Sequence, residues 1–316
     1  VPRIWEKFYA GLKEKLGEAS GLKEKIVNFS LQAGEEHNAD IFRGGSGGGW
    51  KYNVANKLLF SKVKNALGLN NLKVGVTGAA PINADILKLF ASLDIMVVEV
   101  YGQSEGSGPT SFNRPWNNKP GSVGPAFPGT EVKIADDGEI MLKGSNVFLG
   151  YYKDQEETDA CLKDGWLYSG DVGKFDDEGF LYITGRKKEI LVTSGGKNIA
   201  PIPIEQDIRE IPAVAQAVMI GDNRHFCTAL ITLDVGYLLK EKMGVDISNI
   251  KPTELLSTLE SKGKTVAEFA ADPDILSEIQ EGVDKVNTMY AQVENIRKFA
   301  VLPRDFTMVD DEVTPT

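Results

Sequence analysis

The residues that build the commonest reactive centres are scarce in this sequence. Its 316 residues include two cysteines, Cys161 and Cys227, and two histidines, His37 and His225. Two distant cysteines make no disulfide framework and show no zinc-like spacing, so a reducing compartment without a zinc site is expected. Two histidines leave little for a histidine-based triad or metal cluster. Positive charge is also in deficit. The 35 Lys and Arg face 45 Asp and Glu, a formal net charge of -10, which argues against wrapping nucleic acid while leaving room for a local basic patch that holds an anion. No apolar run approaches the roughly 20 residues of a membrane helix, and the opening residues do not read as a signal peptide, so none is expected. A cytoplasmic setting is expected, with peripheral membrane contact left open.

What is present, 42% hydrophobic and 25% charged residues, suits a globular protein of about two domains. The opening "VPRIWEKFYAGLKEKLGEA" starts without Met inside a helical pattern, so the expectation is a piece of a longer protein. Apolar residues three and four apart predict helices up to about residue 67. They are interrupted by "FRGGSGGGWKY", whose residues 44–49 are all Gly or Ser and read as a flexible linker, natural or engineered. From residue 72, "LKVGVTGAAP", "INADILKLFASL" and "IMVVEV" predict strand, helix and strand, with Asn83 as a helix cap. After residue 120 short strands alternate with Gly and Asp turns, the pattern of an antiparallel sheet or small barrel. A boundary is expected near "TGRKK", at 184–188. An α+β segment follows, with a strand at 189–193, a helix at about 203–210, strands at 213–221 and 226–233, and a final strand in "KFAVLPRDF". Ile275, Ile279, Val283, Val286, Tyr290 and Val293 are spaced as one helix face within a helical insertion at about 236–296.

Four stretches could carry chemistry. "VYGQSEGSGP", residues 100–109, is rich in glycine after a strand, but it lacks the lysine of a Walker loop, and Gly102, Gly106 and Gly108 miss the dinucleotide-binding spacing. Tyr101 could offer a ring to a base. Ser104 could donate to a phosphate, and Glu105 suits a hard cation such as Mg²⁺. In "GWLYSGDVGKF", Asp171 reads either as a turn residue or as a carboxylate for a ribose diol. "GRKKEILVTSGGKNIAPIPIE" sets Arg186, Lys187 and Lys188 together, then Gly195 and Gly196 for close backbone approach, then Lys197 for a phosphate. "TGAAPI" puts Gly78, Ala79 and Ala80 at the end of a parallel strand, where open α/β sheets bind ligands. Each also reads as ordinary turn or packing sequence.

Taken in order, "TGAAP", "VYGQSEGSG", "GWLYSGD" and "GRKKEILVTSGGKNIAP" resemble the motifs of the AMP-forming adenylating enzymes, the acyl-CoA synthetases and their relatives. "VPRIWEKF", "KNIAPIPIE" and the insertion resemble the long-chain, bubblegum-type fatty acyl-CoA synthetases. The resemblance implies an α/β protein: residues 1–185 as part of a large AMP-binding domain, with a parallel sheet and a small antiparallel barrel, and 186–316 as a mobile α+β C-terminal domain, truncated at its end. It implies ATP, Mg²⁺ and coenzyme A as reactants and a fatty acid as substrate. Gly78, Ala79, Ala80, Tyr101 and Gly102 would line the nucleotide. Ser104 and Glu105 would act on phosphates and metal, Asp171 and Arg186 would hold the ribose, and Lys188 would serve as the hinge. Gly195, Gly196 and Lys197 would border the coenzyme A tunnel, and residues from Gly106 on the acyl pocket. The family's phosphate loop and adenylation lysine have no counterpart within the 316 residues, so this piece is expected to be inactive alone. Ser104 stands where many relatives have Thr. Another acid-adenylating ligase, or a noncatalytic nucleotide or lipid binder, is the competing expectation.

Overall fold

Apolar spacing at the start of the chain becomes helix. In the computed structural model, which describes residues 2–247, 250–307, 310 and 312, α1 spans Pro2–Gly17 and α2 Leu22–Ile41. Then α3 (Trp50–Ala55), a π-helical turn (Asn56–Phe60) and α4 (Ser61–Ala66) follow without a break. Trp5 and Leu12 of α1 are buried with Ile86, Leu87 and Phe90 of α5 (Ala84–Ser92). Asn83 caps α5, its Oδ1 accepting the Asp85 N–H at 2.8 Å, a contact worth about 1 kcal/mol. The Gly/Ser stretch is tied to α2: Gly47 N–H donates to Asp40 Oδ2 (2.8 Å) and Gly48 N–H to His37 Nδ1 (2.6 Å).

Through α5 the chain passes from β1 (Gly75–Thr77) to its parallel neighbour β2 (Val97–Gln103). β2 then pairs antiparallel with β3 (Gly108–Phe112). This corrects the reading of "VYGQSEGSGP" as a glycine loop beyond a strand. Its first residues continue β2, only Ser104–Gly106 make a short 3-10 turn, and its end starts β3. Gly102 allows this closeness, since a Cβ there would lie 2.1 Å from the Gly108 carbonyl oxygen.

A second sheet contains β4 (Thr130–Ile134), β5 (Glu139–Gly144), β6 (Leu162–Lys163), β7 (Trp166–Phe175) and β8 (Leu181–Arg186). Its order is β4-β5-β7-β6, with β8 also on β7, and β5 is antiparallel to both β4 and β7. The turn glycines Gly138 and Gly179 take φ of 88° and 83°, the left-handed conformation that hairpin turns of this kind require. α6 (Gln155–Cys161) is capped by Asp154.

The chain divides into two compact units, Val1–Thr184 and Gly185–Thr316. In the second, β9 (Leu191–Val192) pairs with β10 (Asn198–Ile199). The strand expected over 189–193 is thus shorter, because Lys187–Glu189 wind into a 3-10 turn. α7 (Pro201–Arg209) packs on the sheet β11-β12-β13, formed by Val214–Ile220, Cys227–Leu233 and Ile296–Val301. Between β12 and β13 lie α8 (Val235–Tyr237), α9 (Leu255–Ser261), α10 (Val266–Ala270) and α11 (Pro273–Asn287). The helix face expected from Ile275 to Val293 ends early. Ile275, Ile279, Val283 and Val286 are buried, but α11 stops at Asn287 and Val293 is exposed. The Asn287 side chain explains the stop: Nδ2 donates to Ile296 O (3.0 Å) and Oδ1 accepts from Ile296 N (2.8 Å), which turns the chain toward β13. Among the described residues no helix is long and apolar enough to cross a membrane.

Candidate active site

β2 and β7 bring two of the expected site residues together. The Tyr101 hydroxyl donates to Asp171 Oδ2 at 2.7 Å, a short, charge-assisted bond. Asp171 is not a turn residue; it lies buried inside β7. A bulge places it there. The β5–β7 register shifts between the pairs Met141–Tyr168 and Glu139–Val172. Gly170 takes φ of 74° and donates its N–H to Glu139 Oε1 at 2.8 Å. Across that shift β7 has two more residues than β5; extra residues in one strand re-aim their neighbours, and here they turn Asp171 toward Tyr101.

Gly78, Ala79 and Ala80 follow β1 directly, and Gly78 lies against Val100, the residue before Tyr101. A Cβ on Gly78 would lie 2.7 Å from Val100 Cγ1 and 2.8 Å from Val100 O, so only glycine fits that approach. Ala79 is held at φ 68°, a conformation uncommon for a residue with a side chain and often found at ligand sites. Ala79 and Ala80 are exposed.

Glu105 sits in the turn between β2 and β3, gripped by the 146–151 segment. Tyr151 O–H donates to Glu105 Oε1 (2.8 Å), Phe148 N–H to Glu105 O (2.8 Å) and Asn146 Nδ2 to Gly106 O (2.9 Å). The bond to Glu105, then burial, pushes the Tyr151 hydroxyl up to about 12. Ser104 and Gly102 are exposed beside it. Among the described residues no three His, Cys, Asp or Glu cluster to hold a metal alone. A lone carboxylate with a neighbouring hydroxyl suits Mg²⁺ shared with phosphates.

The remaining expected residues belong to the second unit. Arg186 ends β8, and Lys188 is exposed in the 3-10 turn just after the unit boundary. Gly195, Gly196 and Lys197 form an exposed turn closed by Gly196 N–H to Thr193 O (2.8 Å) and Lys197 N–H to Thr193 Oγ1 (3.1 Å). A neighbouring hairpin braces it: Ser194 N–H donates to Arg224 O (2.9 Å), and Ser194 Oγ meets His225 Nδ1 at 2.9 Å. The sequence reading missed Glu139 and Tyr151, the side chains that hold Gly170 and Glu105. Neither stands in a recognisable motif, because each acts through a contact far along the chain.

The AMP-binding enzyme family matches residues 1–152, and the AMP-binding enzyme C-terminal domain matches residues 188–253. Over its whole length the chain is 37% identical to the long-chain-fatty-acid–CoA ligase ACSBG2 of Xenopus laevis, covering 44% of that protein. It is also 37% identical to the long-chain-fatty-acid–CoA ligase FadD15 of Mycobacterium bovis, covering 50% of it. The chain therefore spans about half the length of the curated relatives it matches. Among solved structures, the O-succinylbenzoate coenzyme A synthetase MenE of Bacillus subtilis, in complex with ATP and magnesium ion, superposes with a TM-score of 0.53 at 26% identity. That match covers 73% of this chain and 43% of MenE. Two matched segments of one enzyme family, in the order the motifs take and on the fold of its solved relatives, establish that the chain belongs to the AMP-binding enzymes.

Proposed function

We propose that the chain is part of a long-chain fatty acid–CoA ligase. In this reading a fatty acid carboxylate attacks the α-phosphate of ATP, giving acyl-adenylate and pyrophosphate. The thiol of coenzyme A then attacks the acyl carbon, forming the thioester and releasing AMP. The observation that carries the reading is the 2.7 Å bond from Tyr101 to Asp171. It sets a ring and a carboxylate side by side next to the Gly78–Ala80 segment, as a nucleoside would need: a flat surface for the base and an acceptor for the ribose hydroxyls. The names of the relatives and the ATP and magnesium complex of MenE support the choice of nucleotide and acid.

Ser104 and Glu105 would meet the phosphates and hold Mg²⁺, with Tyr151 occupying one Glu105 oxygen. The metal, when bound, would neutralise phosphate charge. Lys188 would be the hinge residue, and the exposed Gly195–Lys197 turn would meet the pantetheine arm and a phosphate of coenzyme A. Calorimetric titration of the chain with AMP tests the nucleotide assignment. Asp171→Ala is expected to weaken binding at least tenfold, about 1.4 kcal/mol. Unchanged affinity would remove Asp171 from the site. Assays of acids of graded chain length with the whole protein test the substrate class.

A further inference from the structure

One charged residue interrupts the apolar strand "IMVVEV". Glu99 stands two residues before Tyr101 on the same face of β2, and it is buried. No cation is paired with it among the described residues. Its Oε2 instead accepts the Gly121 N–H at 2.7 Å. The parallel register sets Thr77 of β1 beside it. On its other side Asn113 donates its N–H to Glu99 O at 3.0 Å. Thr77, Glu99 and Asn113 thus form a buried polar row across the sheet, immediately behind Gly78 and Tyr101.

That row grips a single turn. Glu99 holds Gly121, Asn113 Nδ2 donates to Ser122 O, and Asn113 Oδ1 accepts from Lys119 N at 3.2 Å. One position further on, Ser111, the cross-strand neighbour of Tyr101, donates to Val123 O at 2.9 Å. Gly121 itself takes φ of 91°, and a Cβ there would lie 3.3 Å from Ala84 Cβ at the start of α5. The charged side chain of the turn, Lys119, is turned to Asp176 (2.6 Å) and Glu178 (2.9 Å). The Thr77 hydroxyl has no hydrogen-bond partner. A carboxylate would not be buried for stability alone in such a place. Apolar residues would fill the space at lower cost.

We propose that Glu99 is a positioning residue of the nucleotide wall, a buried carboxyl that seats the 119–122 turn against β2 and so fixes the backbone that presents Tyr101 and Gly78. This rests on the nucleotide reading above. Burial, opposed in part by the Gly121 bond, raises the Glu99 carboxyl to about 8. Near neutrality it is a neutral acceptor for Gly121. At higher pH the Gly121 bond itself strengthens, but burial penalises the charge more, and the water drawn to it loosens the packing of the turn on β2.

The test follows the 316-residue chain from about pH 6 to about pH 9 by AMP calorimetry and by amide NMR. In the unsubstituted protein AMP affinity is expected to fall on the order of fivefold over that range. The Gly121 and Tyr101 amides should shift together with one midpoint near 8. Glu99→Gln, which keeps the acceptor and cannot ionise, should bind AMP with a flat pH profile and lose the shared midpoint. Glu99→Leu, which removes the acceptor, should bind on the order of tenfold more weakly at every pH. A Glu99→Gln protein with the original pH profile, or a Tyr101 amide that does not follow Gly121, overturns the proposal. If the unsubstituted chain binds no AMP, the nucleotide reading fails, and the amide titrations still decide whether Glu99 positions Tyr101.

Discussion

Tyr101 and Asp171 sit on strands, where a side chain bonds a side chain and Asp171 is buried. The 193–197 turn of the second unit is built differently. Ser194, Gly195, Gly196 and Lys197 are all exposed, and most of the bonds that shape the turn run through backbone groups. The first arrangement is fixed by packing, so its geometry is set before any ligand arrives. The second is held by bonds between its own ends and to the neighbouring Arg224–His225 segment, and it leaves the Lys197 side chain exposed. Under the proposed function the prepared wall would receive the nucleoside, and the exposed turn the long, flexible pantetheine arm.

Glu99 provides the largest expected effect on this contrast. Its carboxyl is raised from 4.5 to about 8 by burial. The folded form therefore keeps a proton that the unfolded form releases. Below about pH 4.5 both forms are protonated and nothing is lost. As pH rises from there, the unfolded chain ionises first and folded stability falls, until the loss is complete above about pH 8. A shift of that size corresponds to about 4–5 kcal/mol. Glu99→Gln should therefore gain on the unsubstituted protein by that order between about pH 4.5 and 9, read by urea denaturation at a series of pH values. Parallel stability curves for the two proteins would show that the wall tolerates a charge and is less tightly packed than its geometry indicates.

Leu167 comes next. It is buried in β7, four residues before Asp171. Leu167→Ala should cost about 3 kcal/mol, the transfer loss plus an unfilled cavity. Lys197→Ala in the exposed turn should change stability by less than about 0.5 kcal/mol. Similar losses for the two would erase the distinction between wall and turn.

How much of this was legible in the sequence depended on the range of the interactions. β1, α5 and β2 follow from local signals, and so does the Asn83 cap. The strand placement of Asp171 does not, because it depends on a bulge held by Glu139, more than a hairpin away along the chain. "VYGQSEGSGP" was misread for a related reason. Its glycines look like loop residues, yet Gly102 serves to bring β2 and β3 together. The end of α11 was hidden because the bonds from Asn287 to Ile296 override an apolar spacing that continues beyond it. The joining of Tyr101 to Asp171 could be anticipated only through the family pattern, since seventy positions separate them.

Tyr101→Phe separates the ring from the hydroxyl. The ring stays, and Asp171 Oδ2 loses a donor. A hydrogen bond to a charged group contributes about 1.5–3 kcal/mol, and solvent or a ligand hydroxyl can replace part of it. The expected loss of folding stability is about 1–2 kcal/mol, and it should shrink when AMP is added. A loss that AMP leaves unchanged would mean the hydroxyl has no part in orienting Asp171 for a ligand.

The smallest effects come from the two glycines of the turn, and they give the finest test. Gly196 takes φ of 73°, whereas Gly195 is not left-handed and has open space around it apart from Thr193 Oγ1 at 3.9 Å. Gly196→Ala should cost about 1 kcal/mol through backbone strain. Gly195→Ala should leave stability within about 0.5 kcal/mol of the original. If Gly195 meets the pantetheine arm, however, its added methyl should raise the KM for coenzyme A in the whole protein and leave the KM for ATP unchanged. A Gly195→Ala enzyme that is normal in both stability and coenzyme A KM would assign the turn to folding alone, and the contrast with the Tyr101–Asp171 wall would then rest on exposure and not on function.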